Sequence, residues 1–161
     1  MTIFILYIKA DIDGINEIIF PLNYIWCIDI EQSAGHLTKS RVTIDPNEEI
    51  PIENSRGTAN YVMKWDGDRR YSTIRVIELK GITKMKYCNT DNGNFVPIIA
   101  FECRGLNPTR WIPTFGYNVN CISGKSFINI DLQENEWCEF DEEANESVGI
   151  YNIQSEFRVH K

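Results

Sequence analysis

Phe101-Glu102-Cys103-Arg104-Gly105-Leu106-Asn107-Pro108 opens the stretch that decides the fold. It runs on through Asp131-Leu132-Gln133-Glu134-Asn135-Glu136-Trp137 to Glu146-Ser147-Val148-Gly149-Ile150-Tyr151. Taken residue by residue it reads as strand, turn, strand, acidic loop, strand. Ile128, Ile130 and Leu132 alternate with Asn129 and Asp131. Tyr151, Ile153, Phe157 and Val159 alternate with Asn152, Gln154, Glu156 and Arg158. Alternation with period two sends successive side chains to opposite faces, so these segments read as half-buried strands.

The same pattern extends upstream. Tyr61, Met63 and Trp65 would share a strand face, and Ile74 and Val76 stand opposite Thr73 and Arg75. Ile, Val, Tyr and Phe, the residues sheets favour, are heavily used. Asp66-Gly67 signals a tight hairpin, Asp91-Asn92-Gly93-Asn94 another turn, and Pro46 and Pro51 bracket an irregular acidic connection. No long 3.6-residue period occurs. The best helical candidate is Gln133–Asn145, with Trp137, Phe140 and Ala144 at i, i+3 and i+7, but an acidic loop pinned by two aromatic anchors fits equally. The fold class is all-β: antiparallel sheets, sandwich-like, with at most one short helical turn.

An internal repeat points to two similar halves. Ile8 to Trp26 reads strand, Gly14-Ile15-Asn16, Phe20-Pro21, strand; Ala100 to Val119 reads strand, Gly105-Leu106-Asn107, Ile112-Pro113, strand. The glycines lie 91 positions apart and the prolines 92. The expectation is one compact domain, 1–161, built of halves near 1–92 and 93–161 related by a pseudo-twofold axis.

A chain of 161 residues is long enough to bury a core as a single domain. The net charge of −7 argues against nucleic acid and membrane surfaces as partners, and Arg69-Arg70 is the only short basic cluster. The N-terminal Ile3–Ile8 run lacks a basic leader and a cleavage site and is too short to span a bilayer; a buried strand in a cytosolic protein is expected. The cysteines are Cys27, Cys88, Cys103, Cys121 and Cys138. Their number is odd and no two form a C-x-x-C, so disulfides are not expected, and burial as small apolar residues is their ordinary role.

The strings FECRGL (101–106), INIDLQE (128–134) and ESVGIY (146–151), with Gly57-Thr58-Ala59 and Asn94-Phe95 upstream, resemble the eukaryotic family of CXXC-motif-containing zinc-binding proteins, a small family without a settled activity. The resemblance implies four cysteines, two C-x-x-C pairs at hairpin tips holding zinc tetrahedrally. The second pair's positions follow the Gly57-Thr58-Ala59 anchor and hold Trp65 and Asp68. The first pair's positions are matched to Asp29 and Gln32, with a register uncertain by a residue or two. No family ligand is cysteine here. Trp offers no donor and Gln is a poor one, so zinc is not expected and neither is any other cofactor. The expectation is that Trp65 fills part of the volume once crosslinked by metal and that Asp68 pairs with Arg69, Arg70 or a nearby lysine. The competing reading is a weak site of Asp29, Asp68 and either Cys27 or His36.

No G-x-S-x-G, H-E-x-x-H or phosphate loop occurs, and the two histidines, His36 and His160, have no partner motif. The acidic run from Asp131 to Glu146 contains no Lys or Arg and is interleaved with aromatics. A charge run is ordinarily a solvated face, but an acidic rim around aromatic anchors also suits a protein-binding surface. Its members are Glu134, Trp137, Glu139, Phe140, Asp141, Glu142 and Glu143; Cys138 is either an exposed thiol or one buried under Trp137. The sequence thus points to a non-enzymatic interaction protein with an unidentified protein partner, present as monomer or weak dimer. Behind it stand a metal-handling protein and, last, a hydrolase using the acidic cluster, which would need a carboxylate raised in a cleft.

Overall fold

The computed structural model describes residues 1–161. Fifteen strands follow in order: β1 (Thr2–Asp13), β2 (Ile15–Ile19), β3 (Trp26–Gln32), β4 (Thr38–Ile44), β5 (Ile50–Pro51), β6 (Thr58–Ala59), β7 (Tyr61–Met63), β8 (Ser72–Ile77), β9 (Lys86–Cys88), β10 (Val96–Arg104), β11 (Leu106–Trp111), β12 (Phe115–Cys121), β13 (Ser126–Asp131), β14 (Trp137–Asp141) and β15 (Glu146–His160). The one helical turn is a 3-10 turn at Asn89–Asp91. The strands pair antiparallel throughout. No helix is long and apolar enough to cross a membrane.

The strand order carries a symmetry. The six-stranded sheet runs β14-β15-β1-β10-β8-β7. Exchanging β1 with β10, β15 with β8 and β14 with β7 gives the same order read backwards. The same exchange turns the three-stranded sheet β11-β3-β4 into β2-β12-β13, which is the four-stranded sheet without its outer strand β9. The two halves are therefore related by a pseudo-twofold between β1 and β10, as the repeat predicts. They also trade strands: β2 of the first half pairs with β12 of the second, and β11 of the second pairs with β3 of the first. The β9 strand, which has no counterpart, is tied to β1 through Tyr87, whose buried hydroxyl accepts from the Ala10 N–H at 3.2 Å.

Sheets face one another through apolar side chains. Trp26 of β3 stacks on Phe20 at 5.8 Å and meets Phe101 of β10 edge-on at 5.9 Å; Phe101 in turn meets Phe157 of β15. Edge-on and offset aromatic pairs of this kind favour one packing arrangement over many. The acidic connection around Pro46–Pro51 is held by Asn60, a buried amide that donates to the Glu48 carbonyl (2.8 Å) and accepts from the Val76 N–H (2.7 Å).

Three local expectations change. Gln133–Asn145 is neither helix nor simple loop: it contains β14, between turns, paired with β15 from Trp137↔Ile150 to Asp141↔Glu146. Ile128 does not share the inward face of Ile130 and Leu132 but is exposed. Asn129 takes a left-handed φ of 54°, which slips the β12–β13 register between Tyr117↔Ile130 and Val119↔Phe127. Asp66-Gly67 does turn the chain, with Gly67 at φ 88°, but inside an eight-residue connection, 64–71, rather than a two-residue hairpin.

Candidate functional site

Two hairpin tips of the first half converge. At the β3–β4 tip the Gln32 N–H donates to the Leu37 carbonyl at 2.8 Å; at the β7–β8 tip the Asp68 N–H donates to the Trp65 carbonyl at 3.0 Å. The Gln32 amide crosses from one tip to the other and donates to Asp68 Oδ1 at 3.1 Å. A second bridge runs through a single carbonyl, that of Gly105. It accepts the Ser33 N–H at 3.2 Å and the buried Trp65 indole N–H at 3.1 Å. Gly105 has φ +75°, and a Cβ there would lie 2.3 Å from Ser72 Oγ, so only glycine lets the backbone reach this position.

The converging positions are 32, 35, 65 and 68. An added side chain at Gly35 would run into the Gln32 amide, at 2.0 Å from Oε1. Of the expected first pair, Gln32 lies at this joint. Asp29 is not at the site, because strand alternation sends Trp26, Ile28 and Ile30 into the core and Asp29 to the other face. There its Oδ1 accepts from the Arg41 N–H at 2.8 Å. Asp68 pairs with Gln32, not with Arg69 or Arg70. The donor chemistry here is one carboxylate, one amide, an indole and no side chain at all, which does not fit a tetrahedral zinc ion. The alternative ligands are dispersed as well: Cys27 is buried beside Asp29's face, His36 is exposed, and no three His, Cys, Asp or Glu side chains cluster as a metal set.

The second half carries a tip-to-tip joint of the same build. The Cys121 N–H donates to the Lys125 carbonyl (2.7 Å), as Gln32 does to Leu37. The Ile122 N–H donates to the Gly14 carbonyl (3.0 Å), as Ser33 does to Gly105. Ser123 donates to Asp141 Oδ2 at 2.5 Å across the β12–β13 and β14–β15 tips, in the role that Gln32–Asp68 plays opposite. Asp141 is fully buried, and its Oδ1 accepts from the Glu143 and Ala144 N–H groups at 3.0 and 3.3 Å. The Ser123 hydroxyl, then these backbone N–H groups, hold its carboxyl below the ordinary aspartate range despite burial.

Asp141 therefore does not belong to the acidic interaction face: it is a structural turn residue. The other members are placed as a face. Glu134, Glu139, Glu142 and Glu143 are exposed, and Phe140 is 50% exposed on β14, an edge strand of the six-stranded sheet. Trp137 faces inward and meets Phe127 edge-on at 5.2 Å. Cys138 is exposed rather than covered by it. The one buried carboxylate of the cluster is shifted down, opposite to what a hydrolytic acid there requires. Sequence reasoning missed Ser123, Gly35 and the two bridging glycines. The last were within reach, since Gly14 and Gly105 head the internal repeat, whereas Ser123 has no signal outside the folded tips.

A model of the family described as "CXXC motif containing zinc binding protein, eukaryotic" matches residues 5–158. The human CXXC motif containing zinc binding protein is 31% identical over 156 residues, covering 94% of this chain and 95% of that protein. Two solved structures superpose along nearly the whole chain. A hypothetical protein from Plasmodium falciparum has a TM-score of 0.89 at 30% identity, covering 98% of this chain and 100% of its own. The crystal structure of C1orf123 has a TM-score of 0.86 at 30% identity, covering 97% and 98%.

Proposed function

The chain belongs to the eukaryotic family of CXXC motif containing zinc binding proteins, and from that premise we propose that it is a metal-free member that works by binding another protein rather than by catalysis. The metal-free part rests on the hairpin tips. Gln32–Asp68 and the shared Gly105 carbonyl join the same two loops that a metal would join, and the second half holds its own tips together with hydrogen bonds of equivalent placement. A structural zinc site contributes on the order of 10 kcal/mol in small domains, but a single core of thirty buried residues does not depend on such a staple.

The binding part is carried by one observation: β14 is an edge strand that presents a half-exposed Phe140 among exposed glutamates. A free edge offers backbone donors and acceptors to an added strand, and the flanking charge selects its composition. The partner is accordingly an extended, basic segment. Five free thiols with no disulfide suit work in the cytosol.

Two measurements test this. Elemental analysis of untagged protein from zinc-supplemented cells is expected to give well under one metal atom per chain; near-stoichiometric zinc overturns the metal-free reading. A fluorescent peptide of about ten residues alternating Val and Lys should bind with salt-sensitive affinity. Binding should weaken about tenfold in Glu142→Lys/Glu143→Lys and in Phe140→Asp. Affinity unchanged in both variants would remove β14 as the binding edge.

A further inference from the structure

Away from both hairpin joints, where the halves' equivalent connectors meet, lies a pocket of about 480 Å³. One wall is the segment leading from β2 into β3, including Tyr24, Ile25 and Cys27; the opposite wall is Thr114-Phe115-Gly116, leading from β11 into β12. Thr43 and Asn129 close the sides, on the outermost strands β4 and β13 of their sheets. None of its ten lining residues is charged, in a chain of which 24% is charged. Of the ten large apolar side chains left exposed, Ile25 and Phe115 line this pocket, and Leu22 and Ile128 adjoin its lining residues. Such grouping marks a binding surface rather than scattered exposure.

The polar groups at the base form a connected chain. The Tyr117 hydroxyl accepts the Thr114 N–H at 3.0 Å. Tyr117 is fully buried, and its hydroxyl is hydrogen-bonded to the Tyr24 hydroxyl, 2.5 Å away. The Tyr24 hydroxyl is in turn hydrogen-bonded to Thr114 Oγ1 at 2.7 Å. The chain of hydroxyls ends at Thr114, which lines the pocket wall and has hydrogen-bonding capacity beyond its Tyr24 partner. Asn23, Thr43 and Asn129 add neutral amide and hydroxyl groups around the rim. A volume of several hundred Å³, apolar walls and a few convergent polar groups are the properties of small-molecule sites. We infer that this pocket binds a small uncharged organic molecule with an apolar body and a neutral oxygen group that hydrogen-bonds the Thr114 hydroxyl. Binding is non-covalent: burial pushes the Cys27 thiol up, away from the nucleophilic thiolate.

The probe is Nile red, a neutral fluorophore with a ring carbonyl. One-to-one saturable binding with a blue-shifted emission is expected. Thr43→Trp puts an indole across the mouth from an exposed strand position, where an aromatic suits the backbone; it should weaken binding more than about tenfold. Phe115→Ala, at an exposed wall residue, should weaken it severalfold, while Ile82→Ser, at an exposed apolar residue outside both the pocket and β14, should leave it unchanged. Circular dichroism and melting temperature confirm that each variant is folded, and if Thr43→Trp is not, Phe115→Ala carries the test. Absence of saturable binding, equal affinity in the folded pocket variants, or loss in Ile82→Ser would overturn the assignment. These outcomes are separate from those of the peptide and metal experiments.

Discussion

Trp65 does two things at the first-half joint: its ring is buried in the core and its indole N–H donates to the Gly105 carbonyl. Trp65→Ala should therefore cost about 3–5 kcal/mol in denaturant unfolding, the range for emptying a large aromatic site. Trp65→Phe keeps most of the packing and removes the donor, so about 1 kcal/mol of its loss should be the hydrogen bond. If the two variants were equally destabilised, packing would contribute little and the bond nearly everything. At the second-half joint the decisive group is Asp141. Its folded-state carboxyl is held below the unfolded value, so its contribution is fully present above about pH 4. That contribution is lost as pH falls through the depressed value. In Asp141→Asn the acid limb of stability against pH should be shallower, with the gap from the parent protein wide at neutral pH and closing in acid. Parallel curves would show that Asp141 is not linked to acid unfolding.

Elements differ in how firmly they are held. The central strands β1 and β10 each have hydrogen-bonded neighbours on both sides, whereas β5–β6 is an isolated two-residue pair and β7 lies at a sheet edge. Hydrogen exchange should show the slowest amides in β1 and β10 and fast exchange in β5, β6 and β7. Uniform protection across these strands would contradict the layout. This is also the scale at which the sequence read least well. Period-two alternation identified β13 and β15, but alternation cannot foresee a bulge. The left-handed Asn129 moved Ile128 to the surface, and β14, a five-residue edge strand set between acidic turns, was hidden inside what looked helical or irregular. The expected first pair, Asp29 and Gln32, is separated for a related reason. Asp29 and Gln32 are three apart on one strand and so lie on opposite faces, while Gln32 and Gly35 straddle the tip.

Across the whole molecule the pseudo-twofold was legible, because glycine and proline punctuate both halves at the same points: Gly14 and Gly105 are the bridging carbonyls, and Pro21 and Pro113 lie in the equivalent connectors. The exchange of strands was not legible, since spacing along one chain does not say which half supplies a neighbour. Nor was the pocket, whose walls come from segments about ninety positions apart and meet only when the sheets close. The exchange has its own consequence. A polypeptide of residues 93–161 alone has β12 without β2, β11 without β3, β15 without β1 and β10 without either β1 or β8, so it exposes unpaired strand edges that only a second copy can cover. It should be an obligate homodimer or unfolded, with a melting temperature that rises with protein concentration. A stable folded monomer, seen by sedimentation, would mean that each half can close upon itself. The intact chain is then best understood as a swapped dimer made permanent by a covalent tether.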